Sequence, residues 1–235
     1  MTPRSLAFTL VAISLVLAAC NSPPLYESRA RGFLEKRGVE AEVISRLTKG
    51  EPLTPGEAET LAAYDSIPVL HLVAANPGTP LPLLERLAGH DNFEVRTGAA
   101  SHPDAPLELL LELRTPGEYT TVNEAVVRHP KLPREVLWEM RRNGEALDVG
   151  FALNPNCPPE IMAEIAETGS ETARVWLAKN PNLPLDLMEL LARDPSEHVR
   201  AHLALNPSLA PEVAERLEKD DSERVRKWLA SNPNR

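Results

Sequence analysis

The sequence predicts an all-α fold, a solenoid of about six helix–turn–helix repeats of 26 residues, and three observations carry that expectation. An Asn-Pro or His-Pro pair recurs at Asn76, His102, His129, Asn154, Asn180, Asn206 and Asn232, with successive spacings of 26, 27, 25, 26, 26 and 26 residues. A second proline stands four residues after the Asn or His at Pro80, Pro106, Pro133, Pro158 and Pro184; the last repeat has Ala210 there and Pro211 next. Apolar residues follow seven, eight and eleven positions after the Asn or His, for instance Leu83, Leu84 and Leu87, or Ile161, Met162 and Ile165. That is the i, i+1, i+4 stripe of an amphipathic helix. With 23 prolines in 235 residues, this regular spacing separates helix punctuation from a disordered linker.

Taken in chain order, residues 1–19 read as an export leader. Arg4 gives a short positive start, and Leu6 to Ala19 is almost wholly apolar. About 14 residues of helix reach only about 21 Å, short of the roughly 30 Å hydrocarbon core, which disfavours a permanent membrane span. The run ends in Leu17, Ala18, Ala19 and Cys20, which resembles the bacterial lipobox. That resemblance implies diacylglycerol on the Cys20 thiol, cleavage before it, and acylation of the new amino terminus with a chain such as palmitate. Several chains together anchor stably where one binds only marginally. The alternative is an ordinary signal peptide with an incidental cysteine at its end. Asn21 stands where an inner-membrane retention signal would have Asp, so the expected location is the cell envelope. The anchor would sit on the periplasmic face, in the outer membrane if the host has one, and otherwise on the extracytoplasmic face of the cell membrane.

Residues 20–26, with Pro23 and Pro24, predict a short, stiff tether, and residues 27–53 an N-terminal helical cap of two short helices. The second of these carries Val39, Val43, Ile44 and Leu47 on one face. Residues 54–235 form the array, opened by a degenerate unit with Thr54, Pro55, Leu61, Ile67, Val69, Leu70 and Ala74. In the full repeats a proline opens the first helix. An acid follows it in the first turn, at Glu108, Glu135, Glu160, Asp186 and Glu212, and complements the helix dipole. A second helix precedes each joint, with columns such as Val95, Ala99, Ala100 and Val199, Leu203, Ala204. The more polar last repeat, with Glu215, Arg216, Glu218, Lys219, Arg224 and Lys227, suits a C-terminal cap.

The stretch from Asn180 to Asn206 resembles the repeat of the leucine-rich repeat variant family, and the likeness covers residues 54–235. It implies a right-handed α-solenoid akin to HEAT and armadillo arrays, with one helix of each pair short or 3-10 like. The unit here is slightly longer than the family's usual one, which favours a full α-helix in both positions. The cysteine cluster that lets a known member hold an iron–sulfur centre is missing, so no iron–sulfur cluster is carried over.

Composition narrows the function classes. Aromatic residues are 4% of the chain against 43% hydrophobic overall, so the core must use small and medium aliphatic side chains. The net charge of −9 comes without a Lys/Arg block, which argues against a nucleic-acid partner, because phosphate binding runs on clustered cations. Two cysteines, Cys20 and Cys157, build neither a disulfide framework nor a four-ligand metal site, and no cofactor is implied.

The Asn/His-Pro joints, present in every repeat, are structural, each side chain bonding backbone left open at a helix end. Arg96, Arg174, Arg200 and Arg226 share a column at the edge of the packed face. They either pair with turn carboxylates such as Asp194, Asp220 and Asp221 or face a ligand. Cys157 shares the column of Leu132, Leu183 and Leu209 and reads as a buried small hydrophobe. His198 and His202 have i, i+4 spacing but no third metal ligand. The sharpest binding candidate is the column Trp176, His202 and Trp228, preceded by Gly98, Ala125 and Gly150. Side chains in register at one-repeat intervals either line a strip for an extended peptide or pad the inter-repeat seam.

No nucleophile–base arrangement, glycine-rich phosphate loop or metal motif stands out, so the chain reads as no enzyme. It reads as a membrane-anchored lipoprotein that serves as a protein- or peptide-binding scaffold. A spacer without a tight partner and, less favoured, an envelope enzyme hidden in the N-terminal region are the alternatives.

Overall fold

The computed structural model describes residues 24–115, 120–144 and 147–234. The leader and Cys20, with its expected lipid, lie outside the described residues. Those described form sixteen α-helices and no strand, arranged as helical repeats with contacts between neighbouring elements. None of the helices among the described residues is long and apolar enough to cross a membrane. The chain divides into two compact units, one ending at His129 and the other beginning at Pro130.

The first unit opens with α1 (Pro24–Glu35) and α2 (Ala41–Lys49). It continues with α3 (Pro55–Ala62), α4 (Ile67–Ala75), α5 (Leu81–Ala88), α6 (Phe93–Ala100), α7 (Leu107–Leu113) and α8 (Thr121–Arg128). Helix α1 thus starts at Pro24, inside the stretch read as a tether. A proline in the first helical turn costs no hydrogen bond, so the Pro23-Pro24 signal fits a helix start as well as a stiff linker. The cap is bound to the array by α1, which packs on α2 and on α4. Tyr26 of α1 stacks on His71 of α4, with ring centroids 4.6 Å apart, and its hydroxyl donates to Glu94 of α6.

The second unit comprises α9 (Arg134–Arg142), α10 (Asp148–Leu153), α11 (Pro159–Thr168), α12 (Glu171–Ala178), α13 (Leu185–Leu191), α14 (Glu197–Ala204), α15 (Pro211–Leu217) and α16 (Glu223–Ser231). Both helices of each repeat are α-helical. In most repeats the first helix begins from a proline held in extended backbone, as at Pro106 (φ −62°, ψ 149°) and Pro184 (φ −62°, ψ 151°). The second is capped by a polar side chain accepting a free N–H: Asn92, Thr120, Ser170 and Ser196 accept from Glu94, Asn123, Ala173 and His198. Within each unit these second helices stack directly on one another, α4 on α6 on α8, and α10 on α12 on α14 on α16.

The recurrent pair explains the period. Asn180 Nδ2 donates to Ala152 O at 2.8 Å and Asn154 O at 3.1 Å in the preceding repeat, while its Oδ1 accepts from Asn182 N at 2.9 Å. Asn206 does the same to Ala178 O, Asn180 O and Ser208 N, and Asn232 to Ala204 O, Asn206 O and Asn234 N. Each amide satisfies carbonyls that a helix end leaves open and closes its own turn, so a buried polar side chain is fully used.

Histidine takes over part of the arrangement at two joints of the first unit. His129 Nε2 lies 2.9 Å from His102 O, and His102 Nδ1 accepts from Asp104 N at 3.1 Å. A carbonyl can only accept, so His129 carries its proton on Nε2; His102, accepting at Nδ1, supplies the other half of the amide's pattern.

Candidate functional site

The second helices of the second unit carry three columns of polar or aromatic side chains, and the columns differ in what they leave free. At one edge stand the arginines. Arg174 grips Asp194 through Nε at 2.6 Å and Nη2 at 3.3 Å, and its Nη1 donates to Gly169 O at 2.7 Å. Arg200 repeats this on Asp220 and on Asp194 O. Arg226 donates to the backbone carbonyls of Asp220 and Asp221, and Arg96 in the first unit to those of His90 and Asp91. The forks of Arg174 and Arg200 are therefore filled from within the array. Hydrogen bonding to Asp194 and Asp220 pushes both guanidinium pKa values up.

A second column lies at the first turn. Glu171 accepts from Ser196 Oγ at 2.9 Å and lies 3.0 Å from His198 Nδ1; Glu197 accepts from Ser222 Oγ at 2.7 Å and pairs with Arg224 at 3.1 Å. These partners hold both carboxyls below the usual carboxylate range. Ser196, His198 and Glu171 bring a hydroxyl, an imidazole and a carboxylate together, but the hydroxyl is turned to the carboxylate instead of the imidazole. That is not the geometry of a base-activated nucleophile. His202 Nδ1 is 2.7 Å from His198 O, so the i, i+4 histidines are engaged locally.

The third column is the aromatic one. Trp176, His202 and Trp228 are half-buried on α12, α14 and α16. The His202 and Trp228 rings meet edge to face with centroids 5.1 Å apart, and Lys179 Nζ sits 4.1 Å from the Trp176 ring centroid. Burial, opposed in part by the His198 carbonyl, leaves the His202 pKa lowered, with Lys179 adding to the effect. The corresponding residues of the first unit, Gly98 and Ala125, are buried. A Cβ on Gly98 would stand 2.4 Å from His71 O and 3.1 Å from the Ala74 Cβ, so the small residue there permits close stacking of α6 on α4. Gly150 of α10 is buried as well, so the strip is confined to α12, α14 and α16.

Cys157 is buried beside the joint at Asn154, and burial pushes its thiol up to about 12, as expected of a packing residue. Sequence reasoning missed Lys179, although its place three residues after Trp176 puts it on the same helical face. It missed the Tyr26, His71 and Glu94 contact as well. Comparison of the chain with protein-family models, with curated proteins and with solved structures found no match.

Proposed function

We propose that the chain is a cell-envelope lipoprotein, anchored through Cys20, whose leucine-rich-repeat-variant-like array holds a protein or peptide partner without catalysing a reaction. The observation that carries the reading is the fate of the three columns. The joint asparagines and the Arg174 and Arg200 forks are spent inside the array, whereas Trp176, His202 and Trp228 keep part of their surface open at one-repeat intervals. Partly exposed indoles in register offer contact area at low entropic cost, which is why Trp is enriched where binding energy concentrates.

Two experiments test this. Cys20→Ala in the full chain is expected to release the protein from membrane fractions; retention would remove the anchor from the account. A photo-crosslinker placed in intact cells at position 176, 202 or 228 is expected to give a discrete protein adduct that the same probe at the exposed position 189 on α13 does not give. Lipid adducts alone, or identical adducts from both faces, would favour a spacer near the membrane.

A further inference from the structure

Charge is spread unevenly along the chain, and the cap is the exception to its acidity. Between residues 24 and 50 six Lys/Arg stand against four Glu, whereas from residue 51 onward acids outnumber Lys/Arg 30 to 18. Helix α1 sorts its charges by side. Its inner stripe, Ala30 and Leu34, is fully buried. Glu27, Arg31 and Glu35 follow at i, i+4 spacing along one flank, where Arg31 donates to Thr48 Oγ1 of α2 at 2.9 Å. The other flank carries Arg29, Phe33 and, one residue past the helix end, Lys36, at the i, i+4, i+7 spacing of a single stripe. Arg37 lies over the Phe33 ring, 3.5 Å from its centroid, and donates to Phe33 O at 3.3 Å. Phe33 in turn meets Tyr64 edge to face, with centroids 6.1 Å apart. Both rings are half-buried and the three cations are exposed. Among the described residues none of the three has a carboxylate within ion-pairing distance, and Glu57 and Glu59 of α3 are taken by Arg46 and Arg86. With the exposed Asp65 beside Tyr64 counted in, the patch holds three cations against one carboxylate.

We propose that this flank of α1 is a membrane contact, with Arg29, Lys36 and Arg37 among anionic phospholipid headgroups, Phe33 and Tyr64 at the same level, and the helix lying along the bilayer surface. The proposal rests on the Cys20 anchor of the reading above and adds the protein surface that the anchor brings down. Three residues separate Cys20 from Pro24, so the start of α1 is held within about 14 Å of the acylated residue. The helix, 12 residues long, spans about 18 Å. Upright, it would carry Lys36 and Arg37 well beyond the Debye length of about 8 Å at physiological salt; lying flat, it brings all three cations to the surface. Each cation near an anionic surface multiplies the docked population about fivefold. Three cations alone would hold a protein weakly, but next to a lipid anchor they have only to set its orientation. The excess of acid in the rest of the chain is repelled by the same surface and favours the same orientation.

The test uses the full-length lipoprotein reconstituted through its anchor into vesicles of phosphatidylcholine, or of phosphatidylcholine mixed with phosphatidylglycerol. An environment-sensitive NBD dye is placed on Gly32→Cys. That position is three residues from Arg29 and four from Lys36, and an added Cβ meets nothing within 4 Å. The same dye on the exposed Glu189→Cys of α13 is the control, and flotation measures anchoring separately. The protein is expected to float with both vesicles, while the dye at position 32 brightens only with phosphatidylglycerol and loses the gain with added salt; the dye at position 189 does not respond. The Arg29→Glu, Lys36→Glu double variant is expected to lower the ratio of docked to undocked protein by at least about 25-fold and to return the dye to its phosphatidylcholine intensity. Arg29→Lys with Lys36→Arg keeps the charge and should keep the signal. Both positions are exposed and outside any ion pair, so thermal unfolding of these variants should match the parent. Equal dye intensity in the two vesicles, or a gain that survives charge reversal, would overturn the membrane contact and leave the Cys20 anchor standing. Failure of the parent to float with either vesicle would bring down the anchor, and the contact with it.

Discussion

Arg200 of α14 clasps the Asp220 carboxylate with two nitrogens, at 2.7 and 3.1 Å, while its third donates to Asp194 O at 2.7 Å. One side chain thereby ties the turn before its own helix to the turn of the following repeat, and Arg174 does the same one repeat earlier. Neither partner is exposed: side-chain exposures are 17% for Arg200 and 7% for Asp220. Arg200→Ala leaves that carboxylate, itself only 7% exposed, short of its partner and is expected to cost about 2–3 kcal/mol in urea unfolding. Arg200→Lys is expected to recover only part of this, because an ammonium cannot make the two-pronged contact. A loss within about 0.5 kcal/mol for Arg200→Ala would class the pair with ordinary surface ion pairs.

The joint is the more severe test of the repeat. Asn206→Ala removes bonds to Ala178 O, Asn180 O and Ser208 N at a position with 0% exposure. The expected destabilisation is about 2–4 kcal/mol, measured by urea unfolding, with proteolysis beginning at the flanking repeats. Asn206→His should be milder, since His102 and His129 occupy the same place in the first unit.

Two glycines should respond in opposite directions. Gly98→Ala drives a methyl into His71 O and is expected to destabilise the first unit by about 1–3 kcal/mol. Gly56→Ala, in α3 with nothing within 4 Å, should stabilise by up to about 1 kcal/mol through helix propensity. Thermal unfolding of the two variants checks the pair.

His71 predicts a pH dependence. Burial holds its pKa below the usual 6.5, although the hydrogen bond to Glu94 O pulls the other way. A buried neutral imidazole contributes stability that is complete above 6.5 and declines as the pH falls towards the lowered folded value. Unfolding midpoints at pH 7.5 and pH 5.5 should therefore differ more for the wild type than for His71→Phe, which keeps a ring for Tyr26 but cannot titrate. An equal difference in both proteins would assign the effect to other groups.

Much of this architecture is legible before folding because it is repeated. Pro106 and Pro184 open helices, Asn180 and Asn206 close them, and Leu187, Met188 and Leu191 mark the buried face, each written several times over at one spacing. What occurs once is not legible. The Tyr26 to Glu94 bond spans 68 residues with no period to announce it, and Pro23-Pro24 suits a linker as well as a helix start. The two roles of the aromatic column were written in residue size. Gly98, Ala125 and Gly150 permit close stacking, while Trp176 and Trp228 are too large to be accommodated in that way. Lys179 escaped because a cation above a ring is a relation between two side chains, with no column of its own.

The central claim is that the strip on α12, α14 and α16 exists to hold a partner. Its most direct measurement is the Trp176→Ala, Trp228→Ala double variant, read simultaneously by thermal unfolding and by recovery of the crosslinked adduct from position 202. The account predicts a small change in the unfolding midpoint and loss of the adduct. A large drop in stability with the adduct undiminished would contradict it and make the two indoles packing for the seam between repeats.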